Sequence, residues 1–417
     1  MELGRFSIGI GDRFGHQGKA QLKALLDAER ILGLKFTPVW NKSNREHTLV
    51  GTVPADTRAE ADAAVRALGY SGQYFVDADH INLNSVDRYV DTSDFFTIDV
   101  ADYIGMPASG EQVEQFVALN SKYIGKLQIP GIPQPFNVDK SLLEKIAGKF
   151  LYAAIQASAI YSHIEKAKGA GNFVTEVSMD EVNDAQTPVE MFFILSALAQ
   201  YNVPLQTIAP KFSGRFNKGV DYAGCVNTFE QEFEQDLLVI DYAVKEFGLM
   251  PNLKLSIHSG SDKFSIYPIM GRLVQKYNKG LHLKTAGTTW LEEVIGLAMA
   301  GCESLELVKK IYSIALSRMD ELCAPYATVI DIKKENLPSV DDVNLWSGEK
   351  FANTLRHIES CKDYNPDFRQ LIHVSFKIAA ELGTEYYPAL EKNALIVAEQ
   401  VIENLLNRHL LLMFQNK

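Results

Sequence analysis

Three of the nine histidines in this chain stand where a short β-prone run breaks into a turn. His80 ends Gln73-Tyr74-Phe75-Val76-Asp77-Ala78-Asp79-His80, His258 ends Leu253-Lys254-Leu255-Ser256-Ile257-His258, and His282 lies in Leu281-His282-Leu283-Lys284. A fourth run, Asn172-Phe173-Val174-Thr175-Glu176-Val177, places a glutamate between valines. Such a carboxylate is costly to bury alone, so Glu176 must be paired or bound to a metal. Imidazole beside carboxylate is a donor set for divalent transition metals. His80, Glu176, His258 and His282 are therefore expected to hold one divalent cation (Zn, Mn, Ni or Co), leaving positions open for substrate oxygens. A lone histidine at a strand end is more often a hydrogen-bonded structural residue, but three on one rim favour chemistry.

Other charges recur at the same kind of position. Asp79, Glu176 and Lys284 are the candidates for proton transfer and catalysis. Asp12, Arg13, Asp77, Lys211, Arg215 and Lys263 are the candidates for substrate binding. Lys211, Arg215 and Lys218 follow a single run; they read either as solvated loop charges or as a site for an anionic substrate. His16, His47, His163, His357, His373 and His409 fall in helical or loop stretches and read as structural.

Something must bring these groups together. β-Prone runs begin near residues 6, 36, 74, 95, 173, 205, 253 and 281, and helical periodicity separates most of them. Eight strands alternating with helices predict a closed (β/α)8 barrel, whose ligands bind at the C-terminal ends of the strands. The alternation stops between about residues 103 and 171, where two amphipathic patterns flank Pro130-Gly131-Ile132-Pro133-Gln134-Pro135, predicting a helical insertion after the fourth strand. The barrel with this insertion spans 1–302, and residues 303–417 read as a helical extension packed on it. Gly9, Gly11, Gly15 and Gly18 loosely resemble a dinucleotide loop, but the spacing departs from the usual fingerprint. The plainer reading is close packing of strand and helix.

The 417 residues are 47% hydrophobic and 22% charged, an ordinary globular composition, and the net charge of −11 argues against nucleic-acid binding. Cys225, Cys302, Cys323 and Cys361 have no paired spacing, so neither a disulfide framework nor a zinc ribbon is expected. The first residues contain no apolar signal core, and the longest apolar run near the C-terminus is far too short for a bilayer. A cytoplasmic protein without membrane partners is expected; the oligomeric state is not legible.

Four segments together resemble the bacterial tagaturonate epimerase family: Asp77-Ala78-Asp79-His80, Thr175-Glu176-Val177-Ser178-Met179-Asp180-Glu181, Ile257-His258-Ser259-Gly260-Ser261-Asp262-Lys263 and His282-Leu283-Lys284-Thr285-Ala286-Gly287-Thr288. The resemblance covers most of the chain. It implies a metal-dependent interconversion of D-tagaturonate and D-fructuronate in hexuronate breakdown, with a small keto-uronate as partner. More distantly, Asp79-His80 looks like the Asp-His pair of class II aldolases, in which the His binds zinc and the Asp serves in proton transfer. The chain departs from those enzymes at the sixth strand, where Lys211 stands and no His is found.

The two keto-uronates differ at C4, whose hydrogen is not adjacent to the C2 carbonyl, so deprotonation and reprotonation cannot invert it. Cleavage and re-formation of the C3–C4 bond would do so; transient oxidation at C4 by NAD is the other route. The first needs a Lewis acid, a base for the C4 hydroxyl (Asp79 or Glu176) and a cation for the carboxylate (Lys211 or Arg215). Two other functions fit the same rim: a metal-dependent aldolase that releases its fragments, and a non-catalytic sugar-acid-binding barrel.

Overall fold

Each β-prone run is short and rich in aromatic and branched residues, and most are followed by a helix, so the chain is built largely of βα steps; between β3 (Phe75–Ile81) and β4 (Phe95–Asp99) there is only the short turn Val86–Arg88. The computed structural model describes residues 1–180, 182–258 and 261–415. Its barrel strands are β1 (Phe6–Gly11), β2 (Phe36–Ser43), β3 (Phe75–Ile81), β4 (Phe95–Asp99), β7 (Val174–Ser178), β8 (Thr207–Ala209), β9 (Lys254–Ile257) and β10 (Leu281–Leu283). Every neighbouring pair is parallel, and β1 pairs with both β2 and β10, closing a (β/α)8 barrel. The remaining strands, β5 (Gly125–Leu127) and β6 (Phe136–Val138), form an antiparallel hairpin in the insertion after β4. Around that hairpin lie helices Gly110–Asn120, Lys140–Ile146 and Tyr152–Lys168.

The period of two along each strand sorts the interior into layers. Val39, Phe75, Phe95 and Val174 gather with Leu3 in a small apolar cluster at the lower end. Two residues further along the same strands stand Asn41, Asp77, Thr97 and Glu176, all buried and polar. The lower end is closed by the N-terminal segment: the Leu3 amide donates to Gln206 at 2.8 Å, and the buried Lys254 donates to the Leu3, Gly4 and Arg5 carbonyls.

Glycine is required where backbones nearly touch. A Cβ on Gly9 would lie 2.9 Å from the Lys284 Cα, so this glycine allows β1 and β10 to pack closely. After residue 302 the chain is helical. Its last helical run, from Ala394 to Phe414, lies against helices Tyr267–Lys276 and Thr289–Ala300, where a Cβ on Gly271 would collide with the Met413 carbonyl and one on Gly296 with Val397. The run ends with Phe414 packed 4.9 Å from Phe6 and 5.2 Å from Phe36, beneath the barrel. Among the described residues, no helix is long and apolar enough to cross a membrane.

Candidate active site and metal centre

Lys284, the residue after β10, extends into the polar layer and brings its ammonium against the acids there. Its Nζ donates to Asp77 at 2.6 Å and to the Thr97 hydroxyl, and lies 2.9 Å from Asp79 and 3.5 Å from Glu176. The Thr97 hydroxyl is also within 3.1 Å of Glu176 and of Asp77. These contacts set the charges. Burial opposes ionisation of Asp79, but Lys284 and then His80 overcome it and hold that carboxyl well below the usual range. Glu176 is held low in the same way, against burial, by Lys284 and His258. Asp77 is the exception: burial, with Asp79 and Glu176 adding to it against Lys284, pushes its pKa up to about 6. Lys284 stays charged despite its burial because three acids surround it.

Above this layer the strand ends deliver two imidazoles. In a regular strand Asp79 and His80 would face opposite sides. At His80 the backbone takes a left-handed φ of 51°, and the pairing of β3 with β4 shifts register between Ala78 and Ile81, so both side chains turn to the mouth. His80 Nδ1 lies 2.7 Å from Asp79, and His258 Nε2 lies 2.8 Å from Glu176. The imidazole rings stand 5.0 Å apart, edge to face.

The free edges of the two rings converge on one carboxylate. Asp180 Oδ1 is 3.0 Å from His258 Nδ1 and 3.6 Å from His80 Nε2. Those two ring nitrogens are buried, and Asp180 is the group they face. One donor atom from each of His80, Asp180 and His258 falls within 4.8 Å of the others, a spacing suited to a metal ion. The surroundings fit a cation as well. Each imidazole is oriented by a carboxylate on its far nitrogen, the arrangement that fixes tautomer and direction in metal-bound histidines. Against burial, which disfavours a charged ring, Asp79 and Asp180 raise the His80 pKa, and Asp180 and Glu176 raise that of His258. Four carboxylates face one ammonium here, so the cluster attracts further positive charge, supplied by protons or by one divalent ion.

The four residues expected to bind metal thus separate. His80 and His258 belong to the converging cluster; Glu176 and His282 lie outside it. Glu176 buttresses His258. His282 is fully buried, with Nδ1 2.8 Å from the Ser7 hydroxyl and its ring against Phe95. Burial lowers its pKa to about 3, so it is neutral. Asp180 takes the third place. The strand pattern does not point to it, because it lies two residues beyond β7 in a loop whose path that pattern leaves undefined; the local signal is its Ser178-x-Asp180 spacing, with the Ser178 hydroxyl 2.6 Å from its carboxylate.

The residues expected to bind substrate are dispersed. Asp12 accepts from the backbone amides of Phe14, His16 and Gln17, shaping the turn after β1. Arg13 pairs with Glu46 at 2.9 Å, lies over the Phe376 ring and borders His373 of the C-terminal helices. Asp77 belongs to the Lys284 layer. Lys263 is fully buried, and its Nζ is taken up by the carbonyls of Asn217, Val220 and Ser261 at 2.7–2.9 Å. Arg215 turns outward to Asp331 and the Ile330 carbonyl. Lys211 is half-buried at the end of β8, and its ammonium has no ion pair with any described residue. Ser259, Gly260 and Glu181, which contribute to the recognised segments, lie outside the described residues.

Known proteins resemble this chain along nearly its whole length. The family model described as tagaturonate epimerase matches residues 1–412. The tagaturonate/fructuronate epimerase of Thermotoga maritima is 29% identical over 422 aligned positions, covering 97% of this chain and 80% of that protein. Crystal structures of the fructuronate-tagaturonate epimerase of Cohnella laeviribosi superpose with TM-scores of 0.82 and 0.81 for its one- and two-glycerol complexes, each 25% identical and covering 99% of this chain and 82% of theirs. A barrel closed in the same way, matched along nearly its whole length by one family, leads to a plain conclusion: this chain belongs to the tagaturonate epimerase family and is an isomerase.

Proposed function

We propose that the enzyme interconverts D-tagaturonate and D-fructuronate by breaking and re-forming the C3–C4 bond, with a divalent metal held by His80, Asp180 and His258. The observation that carries this reading is the convergence of two buried imidazole nitrogens on the Asp180 carboxylate, each ring being oriented from behind by another carboxylate. A divalent ion bound there would act as a Lewis acid, polarising the C2 carbonyl and stabilising negative charge on its oxygen.

Asp79 supplies the base. It is held ionised by Lys284 and His80 while remaining at the mouth, where its side chain is 13% exposed against 0% for Glu176. Asp79 takes the proton of the C4 hydroxyl, the O–H electrons form the C4 aldehyde, and the C3–C4 electrons pass toward C2 to leave a three-carbon enediolate. After the aldehyde turns, C3 attacks its opposite face and Asp79 returns the proton to the new C4 oxygen. Lys284 keeps the base ionised and the three acids in place. Lys211 is the candidate partner for the substrate carboxylate, since Lys263 is held by carbonyls and Arg215 faces away.

Two measurements test the proposal. Purified enzyme should contain one equivalent of divalent metal, and chelation should abolish turnover of tagaturonate. Substrate deuterated at C4 should react with only a small secondary rate effect and keep its label in heavy water. A large primary effect would mean that the C4–H bond breaks, and hydride transfer would replace bond cleavage.

A further inference from the structure

Among the described residues the C-terminal helices contribute no side chain to the proposed metal cluster, yet they grip the two loops that follow β9 and β10, strands that lead to His258 and Lys284. Asp262 lies four positions after His258, is fully buried, and adopts a left-handed φ of 57°, which a side-chain-bearing residue keeps only when its surroundings impose it. Three separate C-terminal segments impose it here. Arg369, itself fully buried, donates to the Asp262 carboxylate at 2.6 Å, and His357 Nδ1 lies 3.1 Å from the same oxygen. His409 Nε2 accepts the Asp262 backbone amide at 3.1 Å, while its Nδ1 donates to the Asn404 carbonyl.

The same residues reach the loop after β10. Arg369 donates to the Thr288 hydroxyl at 3.0 Å, and the Thr288 amide donates to Asn404 at 3.2 Å. Ser261, next to Asp262, joins the two loops by donating to the Thr285 and Gly287 carbonyls. Arg369 also binds the Gly219 carbonyl at 2.6 Å, fastening the loop after β8. A buried arginine, an aspartate and two histidines thus hold three barrel loops against the extension.

We propose that Asp262 and Arg369 are positioning residues for the reaction: they set the direction in which His258 and Lys284 enter the site, and through His258 they set the affinity for metal. This rests on the metal reading above. It explains why charged groups are buried at this junction, where an apolar contact would hold helix to barrel equally well.

The experiment compares the parent enzyme, His258→Ala, Asp262→Asn and the paired Asp262→Asn/Arg369→Met variant, which removes both buried charges so that neither is left uncompensated. Each is checked for folding by circular dichroism. Metal affinity is then measured by chelator competition, and the geometry is read from the visible spectrum of the Co(II) form. Loss of a group that orients a metal ligand typically weakens binding about ten- to a hundredfold. The expected result is a loss of that size in the folded variants, an altered Co(II) spectrum, and partial recovery of kcat at high metal concentration. Parent-like affinity and spectrum in the folded paired variant would overturn the proposal, even if its melting temperature had dropped. A parent enzyme that binds no stoichiometric metal would remove the metal reading, and this proposal with it.

Discussion

Replacing Lys284 with methionine tests the charge arrangement beneath the site. The ammonium lies 2.6 Å from Asp77, 2.9 Å from Asp79 and 3.5 Å from Glu176, in a layer where none of these side chains is more than 13% exposed. At an effective dielectric near 20, each contact represents roughly 5–6 kcal/mol of gross Coulomb attraction. Desolvation cancels most of that, and removing one partner of a buried ion cluster typically costs about 3–5 kcal/mol. With an unfolding entropy of about 2.1 cal/mol/K per residue, a chain of this length should lose roughly 3–6 °C in Tm. The pH dependence is the sharper signature. In the parent, Asp79 and Glu176 have depressed pKa values, so their contribution is present at neutral pH and lost only in the acid carboxyl range. Without Lys284, three crowded, buried carboxyls have raised pKa values, and the folded protein binds protons more tightly than the unfolded chain. The variant is then most stable at low pH and loses stability as pH rises, so its deficit should be largest near pH ~8 and shrink toward pH ~5. Calorimetry across that range, with turnover falling about a hundredfold or more, checks the expectation. A deficit that is absent, or that grows toward acid, would refute the reasoning.

His80→Ala, Asp180→Ala and His258→Ala should each lose bound metal, measured by elemental analysis of folded protein, whereas His282→Phe should keep it; the opposite pattern would return His282 to the ligand set. Asp79→Asn should bind substrate with saturating metal yet turn over about a hundredfold or more slowly, because the amide cannot accept the C4 hydroxyl proton; near-parent kcat would reassign the base. Lys211→Met should weaken uronate binding about tenfold, the worth of a charge-assisted contact, while Arg215→Met leaves it unchanged. Lys263→Met should lower Tm, since three carbonyls lose their donor, and a uronate-selective loss of affinity without a fall in Tm would show that the lysine has another role.

Local pattern was enough to read the scaffold. Eight short runs of aromatic and branched residues, most separated by helical periodicity, pointed to a parallel barrel, and the break in alternation from about Tyr103 marked the insertion because periodicity is a property of neighbouring residues. The strand assignments also put Asp77, Asp79, His80, Glu176, His258, His282 and Lys284 together at the C-terminal strand ends, without saying which side chains face one another. Which atoms meet was decided by the tertiary structure. Asp180 reaches the cluster from a loop without periodicity, and the left-handed turn at His80 cancels the alternation that would have sent that ring outward. Lys263 and Arg215 have the same formal charge, yet one is enclosed by the Asn217 and Val220 carbonyls of a distant loop together with that of Ser261, and the other turns toward Asp331. The junction of Asp262 with Arg369 spans 107 positions of sequence. Such contacts exist only once the barrel has closed and the last helices have docked against it, because local sequence specifies the direction of a strand but not which distant side chain arrives at its end.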